Sequence, residues 1–421
     1  MNRRDLLKLC GLAGLSLTAP IGLRAQTREP EPHEGPCYLV FNASGGWDTT
    51  YLMDPKGVEG INRLYREDDI QTMGNLRYAP IKQHIEQGMS NEEFFGRHGS
   101  ELLVFNGLDY SVNNHSPCSR YTATGKLDSA LYPTFAALVA ACQGPECPLA
   151  FLTFGNYSAT GNLVPMARIP YLPTLKKIAQ ADSPGGNHKY HDDFVLDRID
   201  RVLKEQFDTR AVRPQLPRSA RAQSALYAAQ LNSKALKRAI PHIATPPKGR
   251  LPQQAEIALA SFKAGICVSA NLSIGQFDSH ANNDRDQMKL IPEFLAGIDY
   301  ALERAEQLGI RDRLVVIIQS EMGRTPHYNK GDGKDHWSIG SIMFLGHGIK
   351  GNRCLGETDG GQFALPFDPK ALKPVSEDGI RVRPEHIHAA LREHAGIKRH
   401  EFSKRFPLKV PDAESLSGFW G

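Results

Sequence analysis

The chain has 421 residues, with 50 Lys and Arg against 46 Asp and Glu, a formal charge of +4 with neutral histidines. That length excludes a mini-protein, and the near balance of charge argues against a nucleic-acid binder that relies on bulk attraction. With 41% hydrophobic and 23% charged residues, the composition is globular rather than disordered or collagen-like, and one large domain with insertions is expected.

Residues 1–25 stand apart. Arg3-Arg4-Asp5-Leu6-Leu7-Lys8 is a basic opening, Leu9 to Leu23 is mildly apolar and rich in Gly and Ala, and Ala25-Gln26 offers a cleavage point. That order predicts a twin-arginine export signal, a periplasmic or secreted protein, and the twin-arginine translocase as a partner during export. The apolar stretch falls short of the roughly 20 residues that span a bilayer, so no stable membrane anchor is expected. Cleavage removes Arg3, Arg4, Lys8, Arg24 and Asp5, leaving 46 basic and 45 acidic residues, or +1. General attraction for polyanions goes with the signal, and no nucleic-acid partner is expected. Export in the folded state also suits a cofactor or metal loaded beforehand. Six cysteines remain (Cys37, Cys118, Cys142, Cys147, Cys267 and Cys354) without any Cys-x-x-Cys pair. A thiolate zinc site therefore has no support, and Cys142 and Cys147 read either as a disulfide or as buried thiols.

In chain order, apolar runs of four to eight residues predict buried strands at Tyr38–Ala43, Glu101–Asn106, Leu149–Phe154, Cys267–Ile274, Arg313–Ile318 and Ser341–Leu345. Helical patterns fall between and after them, at Tyr132–Cys142, Pro252–Lys263, Met288–Gln307 and Pro384–Glu393. This alternation predicts an α/β domain over residues 37–421, a mostly parallel sheet sandwiched by helices. Residues 182–250, charged and without a strand pattern, read as a helical insertion.

The chain has no G-x-G-x-x-G, no P-loop, no G-x-S-x-G elbow and no H-E-x-x-H. Instead, acids follow strands: YLVFNASGGWD ends in Asp48, VSANLSIGQFDSH ends in Asp278 and His280, and RLVVIIQSEMGRT carries Glu321. In a parallel sheet the carboxyl ends share one edge, where α/β folds place ligands. Asp278 and His280, two apart, point to one side of an extended segment. Asp335-His336 and His115 follow turn-like stretches and can enter the same cleft. Carboxylate oxygens and imidazole nitrogens together suit one or two divalent ions, zinc or manganese by ligand type.

These motifs, GGWDTT, FDSHANN, SEMGRTP and KDHWSIG in that order, resemble a family of exported bacterial proteins of unknown function in the alkaline phosphatase and sulfatase superfamily. The resemblance implies an alkaline-phosphatase-like fold and a metal-dependent hydrolase of phosphate or sulfate esters, acting on a small-molecule or polysaccharide ester. It implies two metals. Asp48 resembles the first-strand metal aspartate, Glu321 stands where a ligand dyad follows a late strand, with Met322 in the second place, and Asp278, His280 and His336 resemble the other metal's ligands. In sulfatases the nucleophile lies nine residues before a Thr-Gly like Thr124-Gly125, and His115 holds that place here. Ser116 or Ser119 could serve after a register shift; otherwise His115 is a ligand and activated water attacks. Arg120 and Arg324 are the expected anion clamps. The other reading of the same fold is a non-catalytic envelope or polysaccharide-binding protein.

Overall fold

The structure is a computed structural model that describes residues 31–82, 88–180, 183, 189–211 and 235–421. The export signal expected at residues 1–25 lies outside the described residues. The central sheet is built from β1 (Cys37–Ala43), β2 (Leu103–Asp109), β3 (Phe151–Thr153), β4 (Met166–Ala167), β5 (Ser269–Ile274), β6 (Leu314–Ser320), β7 (Ile339–Gly346) and β8 (Arg353–Cys354), in the spatial order β8-β2-β7-β6-β1-β5-β3-β4. The helices used below are α1 (Asn91–His98), α2 (His115–Thr124), α3 (Phe135–Gln143), α4 (Leu172–Ala179), α5 (Asp193–Ala211), α6 (Arg250–Lys263), α7 (Asn283–Gln307) and α8 (Pro384–His394).

β1 shows why two helical layers are needed. It is buried along its whole length, and its side chains alternate with the period of two that an extended chain imposes. Cys37, Leu39, Phe41 and Ala43 enter one apolar core with residues of α1, α4, α6 and α7. Tyr38 and Val40 enter a second core with residues of α3 and α8. A strand apolar on both faces is stable only when both are covered, as the sequence pattern requires.

β1 pairs in parallel with β5 and β6, and β3 runs parallel to both β5 and β4. β7 is antiparallel to its neighbours β6 and β2. The result is a mixed α/β fold with a mostly parallel central sheet flanked by helices, as expected. The reversal of β7 matters for function. It brings the start of β7 to the edge where β1, β2, β5 and β6 end.

Local signals fix the elements that approach this edge. The Asn114 side chain accepts from Ser116 N and opens α2, and Gly125, at φ 69°, closes that helix in a left-handed conformation. Thr134 caps α3, and a reciprocal Ser90–Glu93 box opens α1. Phe294 on α7 meets Phe41, Trp47 and Phe277 edge to face, with ring centroids 6.3, 6.1 and 6.0 Å away. One α7 side chain thus seats both loops that leave β1 and β5. Phe294→Ala would cost about 3–5 kcal/mol, the usual range for removing a buried aromatic.

In the span 182–250 the described residues form α5, a 3-10 turn at Ile240–His242 and the start of α6, with no strand among them. No helix of the described residues is long and apolar enough to cross a membrane. All six cysteines after the expected signal are free thiols, which decides the Cys142 and Cys147 alternative.

Candidate metal centre

Four sheet connections deliver the side chains. The β1 loop carries Gly45-Gly46 at φ 120° and 89°, conformations that favour glycine. A Cβ on Gly45 would stand 2.5 Å from Asp278 N, and one on Gly46 would stand 2.8 Å from Met322 Cγ, so the bare backbone lets the neighbouring segments close on it. β5 leads to Asp278 and His280, β2 leads to His115 at the first turn of α2, and His336 precedes β7. Glu321 directly follows β6. Met322, beside it, is fully buried in the second core.

His115, His280 and His336 surround Asp278. His115 Nε2 lies 3.3 Å from Asp278 Oδ2, and His280 Nε2 and His336 Nε2 each lie 3.2 Å from Asp278 Oδ1. His280 Nε2 and His336 Nε2 are 3.0 Å apart.

The opposite nitrogens settle which atoms carry protons. His280 Nδ1 is 2.8 Å from Asp335 Oδ1, His336 Nδ1 is 2.8 Å from the Asn113 carbonyl oxygen, and His115 Nδ1 is 3.2 Å from Glu321 Oε1. Each of those oxygens only accepts, so in the neutral rings every Nδ1 carries the hydrogen. Three Nε2 lone pairs and a carboxylate therefore converge, acceptors facing acceptors. That donor set fits a cation. Tetrahedral ligands at zinc distances of roughly 2.0–2.1 Å stand about 3.3 Å apart, close to the spacing seen here. His115, Asp278 and His336 offer ligand atoms within 4.8 Å of one another, and His280 adds a fourth on the Asp278–His336 side. Outer hydrogen bonds of this kind fix ring orientation in metal sites.

Electrostatics reinforce the fit. Burial by itself would raise the Asp278 carboxyl, but Arg324, at 2.7 Å, and then His336 and His115 outweigh it and hold the group down at about 2. His115 is raised above the usual histidine value, chiefly by its hydrogen bond to Glu321. Hydrogen bonds from His280 and Asn329 hold Asp335 below the usual carboxylate range. Glu321 is only 4% exposed; its Oε1 accepts from Gly45 N at 2.8 Å, while its Oε2 is buried without a partner among the described residues. An orphaned carboxylate oxygen beside His115 again favours a nearby positive charge.

The expected residues thus divide into three groups. His115, Asp278 and His336 are brought together, with His280 beside Asp278 and His336. Glu321 and Asp335 stand behind His115 and His280 and orient them. Asp48 is elsewhere: it pairs with Lys334 Nζ at 2.6 Å, both side chains being fully buried. A buried ion pair thus stands at the residue for which the motif resemblance implies a metal.

The expected clamps and nucleophiles are also placed. Arg324 is buried and uses its guanidinium on the Gly45, Gly46 and Lys334 carbonyls and on Asp278. Arg120 donates from Nε and Nη2 to the Leu127 carbonyl oxygen. Neither is a free anion clamp. Ser116 is exposed and Ser119 half-buried, and among the described residues neither hydroxyl bonds to a member of the cluster. Residues that sequence reasoning missed are Lys334, Asn113 and Asn283. Lys334 sits between Gly333 and Asp335 in an otherwise polar loop, with nothing in the pattern to mark it as buried.

The family match follows from this chain's sequence. Residues 39–406 match the family described as "Protein of unknown function (DUF1501)". The chain belongs to that family. No curated protein matches it in sequence. Among solved structures it is similar to the lipoteichoic acid synthase LtaP from Listeria monocytogenes, at 8% identity over 91% of this chain and 76% of that one, with a TM-score of 0.40. It is also similar to a putative sulfatase from Bacteroides thetaiotaomicron VPI-5482, at 11% identity over 91% and 74% of the two chains, with a TM-score of 0.34. A third is the PsFucS1 sulfatase from Pseudoalteromonas sp., at 10% identity over 94% and 72%, with a TM-score of 0.38.

Proposed function

We propose that this protein is an exported, metal-dependent hydrolase of phosphate or sulfate esters, with zinc or manganese held by His115, Asp278, His280 and His336. The supporting observation is the convergence of three imidazole lone pairs and one carboxylate at the ligand-binding edge of the sheet. The export reading rests on residues 1–25, and the ester class on the four motifs. When bound, a divalent ion supplies Lewis acidity, polarising the ester and making water nucleophilic near neutral pH.

The chain's own part is preorganisation. Glu321, Asp335 and the Asn113 carbonyl hold the three Nδ1 protons outward, so the Nε2 atoms face the reacting region without rearrangement. Arg324 fixes the Asp278 carboxylate in its ionised form. Asp278 and His280 remain partly exposed, which leaves the centre open to a small-molecule or polysaccharide ester.

A second reading is favoured by the two arginines and the two serines. With Arg120 and Arg324 committed to carbonyl groups, and with neither the Ser116 nor the Ser119 hydroxyl bonded to the cluster among the described residues, a metal-bearing envelope or polysaccharide-binding protein fits the same fold. Turnover separates the two. The metal-loaded protein is expected to hydrolyse an aryl phosphate or aryl sulfate, and a panel of such esters without turnover, alongside binding to a polysaccharide, would give the second reading.

A further inference from the structure

Asp48 is placed by the motif resemblance at a second metal, so its surroundings decide how many ions the centre takes. Its Oδ1 accepts from Thr50 N at 3.1 Å and Thr50 Oγ1 at 2.6 Å. Its Oδ2 accepts from Lys334 Nζ at 2.6 Å and Asn283 Nδ2 at 3.0 Å. A carboxylate offers about four lone-pair sites, and four donors fill them. Neither the Asp48 nor the Lys334 side chain is exposed.

The ammonium group is itself enclosed. The rings of Tyr51 and Tyr328 lie 5.6 and 5.1 Å from Lys334 Nζ, and their hydroxyls both donate to Asp284 Oδ1, at 2.6 and 2.7 Å. A divalent ion at Asp48 would have to displace Lys334 or sit against a like charge in a site shielded from water, and either is unfavourable. Glu321, the other acid assigned to that second metal, is joined among the described residues to Gly45 N and His115.

We infer that the centre holds one metal ion and that the Lys334 ammonium permanently occupies the role of the second cation at Asp48. This rests on the metal-dependent reading above and deepens it. Lys334 also acts as a positioning residue for the first ion. Its N donates to the Ser279 carbonyl oxygen at 3.0 Å and its own carbonyl accepts from Arg324 at 3.1 Å, so the buried pair pins the loop that delivers Asp335 and His336 against the segment carrying Asp278 and His280. Gly333 permits this approach, because a Cβ there would stand 2.0 Å from the His280 carbonyl carbon.

The test is the number of ions per chain, measured by native mass spectrometry and elemental analysis on the full protein after loading with zinc or manganese and desalting. One ion per chain is expected in the wild type. Two would overturn the single-ion inference while leaving the metal-dependent reading intact, whereas none would overturn both. The double variant Asp48→Asn with Lys334→Met removes the two buried charges together, and it is expected to fold and to bind one ion about 10–100-fold more weakly, because the pair that pins the loop is gone. A folded double variant that binds its ion as tightly as the wild type would overturn the positioning role of Lys334. If the double variant does not fold, the wild-type count still decides.

Discussion

Arg324 Nη2 donates to Asp278 Oδ1 at 2.7 Å from a guanidinium that is fully buried and also carries the carbonyl oxygens of Gly45, Gly46 and Lys334. The residue expected to grip an anionic substrate holds the Asp278 carboxylate in place and ties three loops together. Arg324→Lys should therefore fail to substitute, since a point-charge ammonium cannot reach the four acceptors that the planar fork reaches. Metal affinity should fall by about 10–100-fold, as for other residues that orient ligands. Stability should fall by roughly 1–3 kcal/mol, the cost of leaving buried carbonyl acceptors without a donor. Chelator competition and denaturant unfolding measure the two effects, and an unchanged affinity would return Arg324 to a substrate role.

Metal affinity should rise with pH through the neutral range. Asp278, held at about 2, is ionised throughout, so it is not the competing group. His115 is, because Glu321 raises it above 6.5 and a proton on Nε2 excludes a metal from that nitrogen. Below the raised value the proton is bound and affinity drops by about tenfold per pH unit for that one site. Glu321→Gln removes the charge that raises His115 and should move the fall in affinity to lower pH. Zinc titrations between pH 6 and 8 on both proteins would show it, and two superimposable curves would remove Glu321 from this role.

The strands and the acids that follow them were legible because burial on both faces leaves long apolar runs, and strand polarity then fixes where Asp278 and Glu321 emerge. The partner of Asp48 was not legible, for a physical reason. An acid after a strand looks the same whether it binds metal or accepts a buried lysine, and the deciding partner, Lys334, lies 286 residues away. The Nδ1 partner of His336 is a main-chain carbonyl, Asn113, which no side-chain pattern can mark. β4 and β8 have two residues each, too few for any periodicity.

Ser116 and His336 should behave oppositely. Ser116 is exposed at the first turn of α2, so Ser116→Ala should retain most activity on an aryl phosphate or sulfate, and Ser119→Ala likewise. His336→Ala should lose both the ion and turnover. A drop of several orders of magnitude in either serine variant, with metal content unchanged, would instead identify an activated serine nucleophile.

Export is checked at the other end of the chain. Arg3→Lys together with Arg4→Lys should leave the protein in the cytoplasm with residues 1–25 attached, because the arginine pair is what the twin-arginine route reads. Fractionation followed by mass determination separates the precursor from the cleaved form. Normal periplasmic accumulation of the double variant would assign export to another route.

The helix that carries His115 is held at its far end by a histidine that should make the fold acid-sensitive. His388 on α8 is 5% exposed, and its Nε2 donates to the carbonyl oxygen of Thr122 on α2 at 2.8 Å. Burial, helped by Arg392, lowers this histidine from 6.5 to about 4, even though the bond to Thr122 favours the protonated ring. Folding therefore favours the neutral form. Its contribution to stability is fully present above pH 6.5, is lost progressively as the pH falls, and is exhausted once the pH passes the folded value near 4. Between pH 7 and pH 5 the loss from this one group is about 2 kcal/mol, at roughly 1.4 kcal/mol per unit. His388→Gln keeps an N–H donor for Thr122 but has no proton to gain, so its stability should fall less over the same interval by that amount. Denaturant midpoints of both proteins at pH 7 and pH 5 provide the comparison, and equal losses would show that His388 is already charged in the folded state.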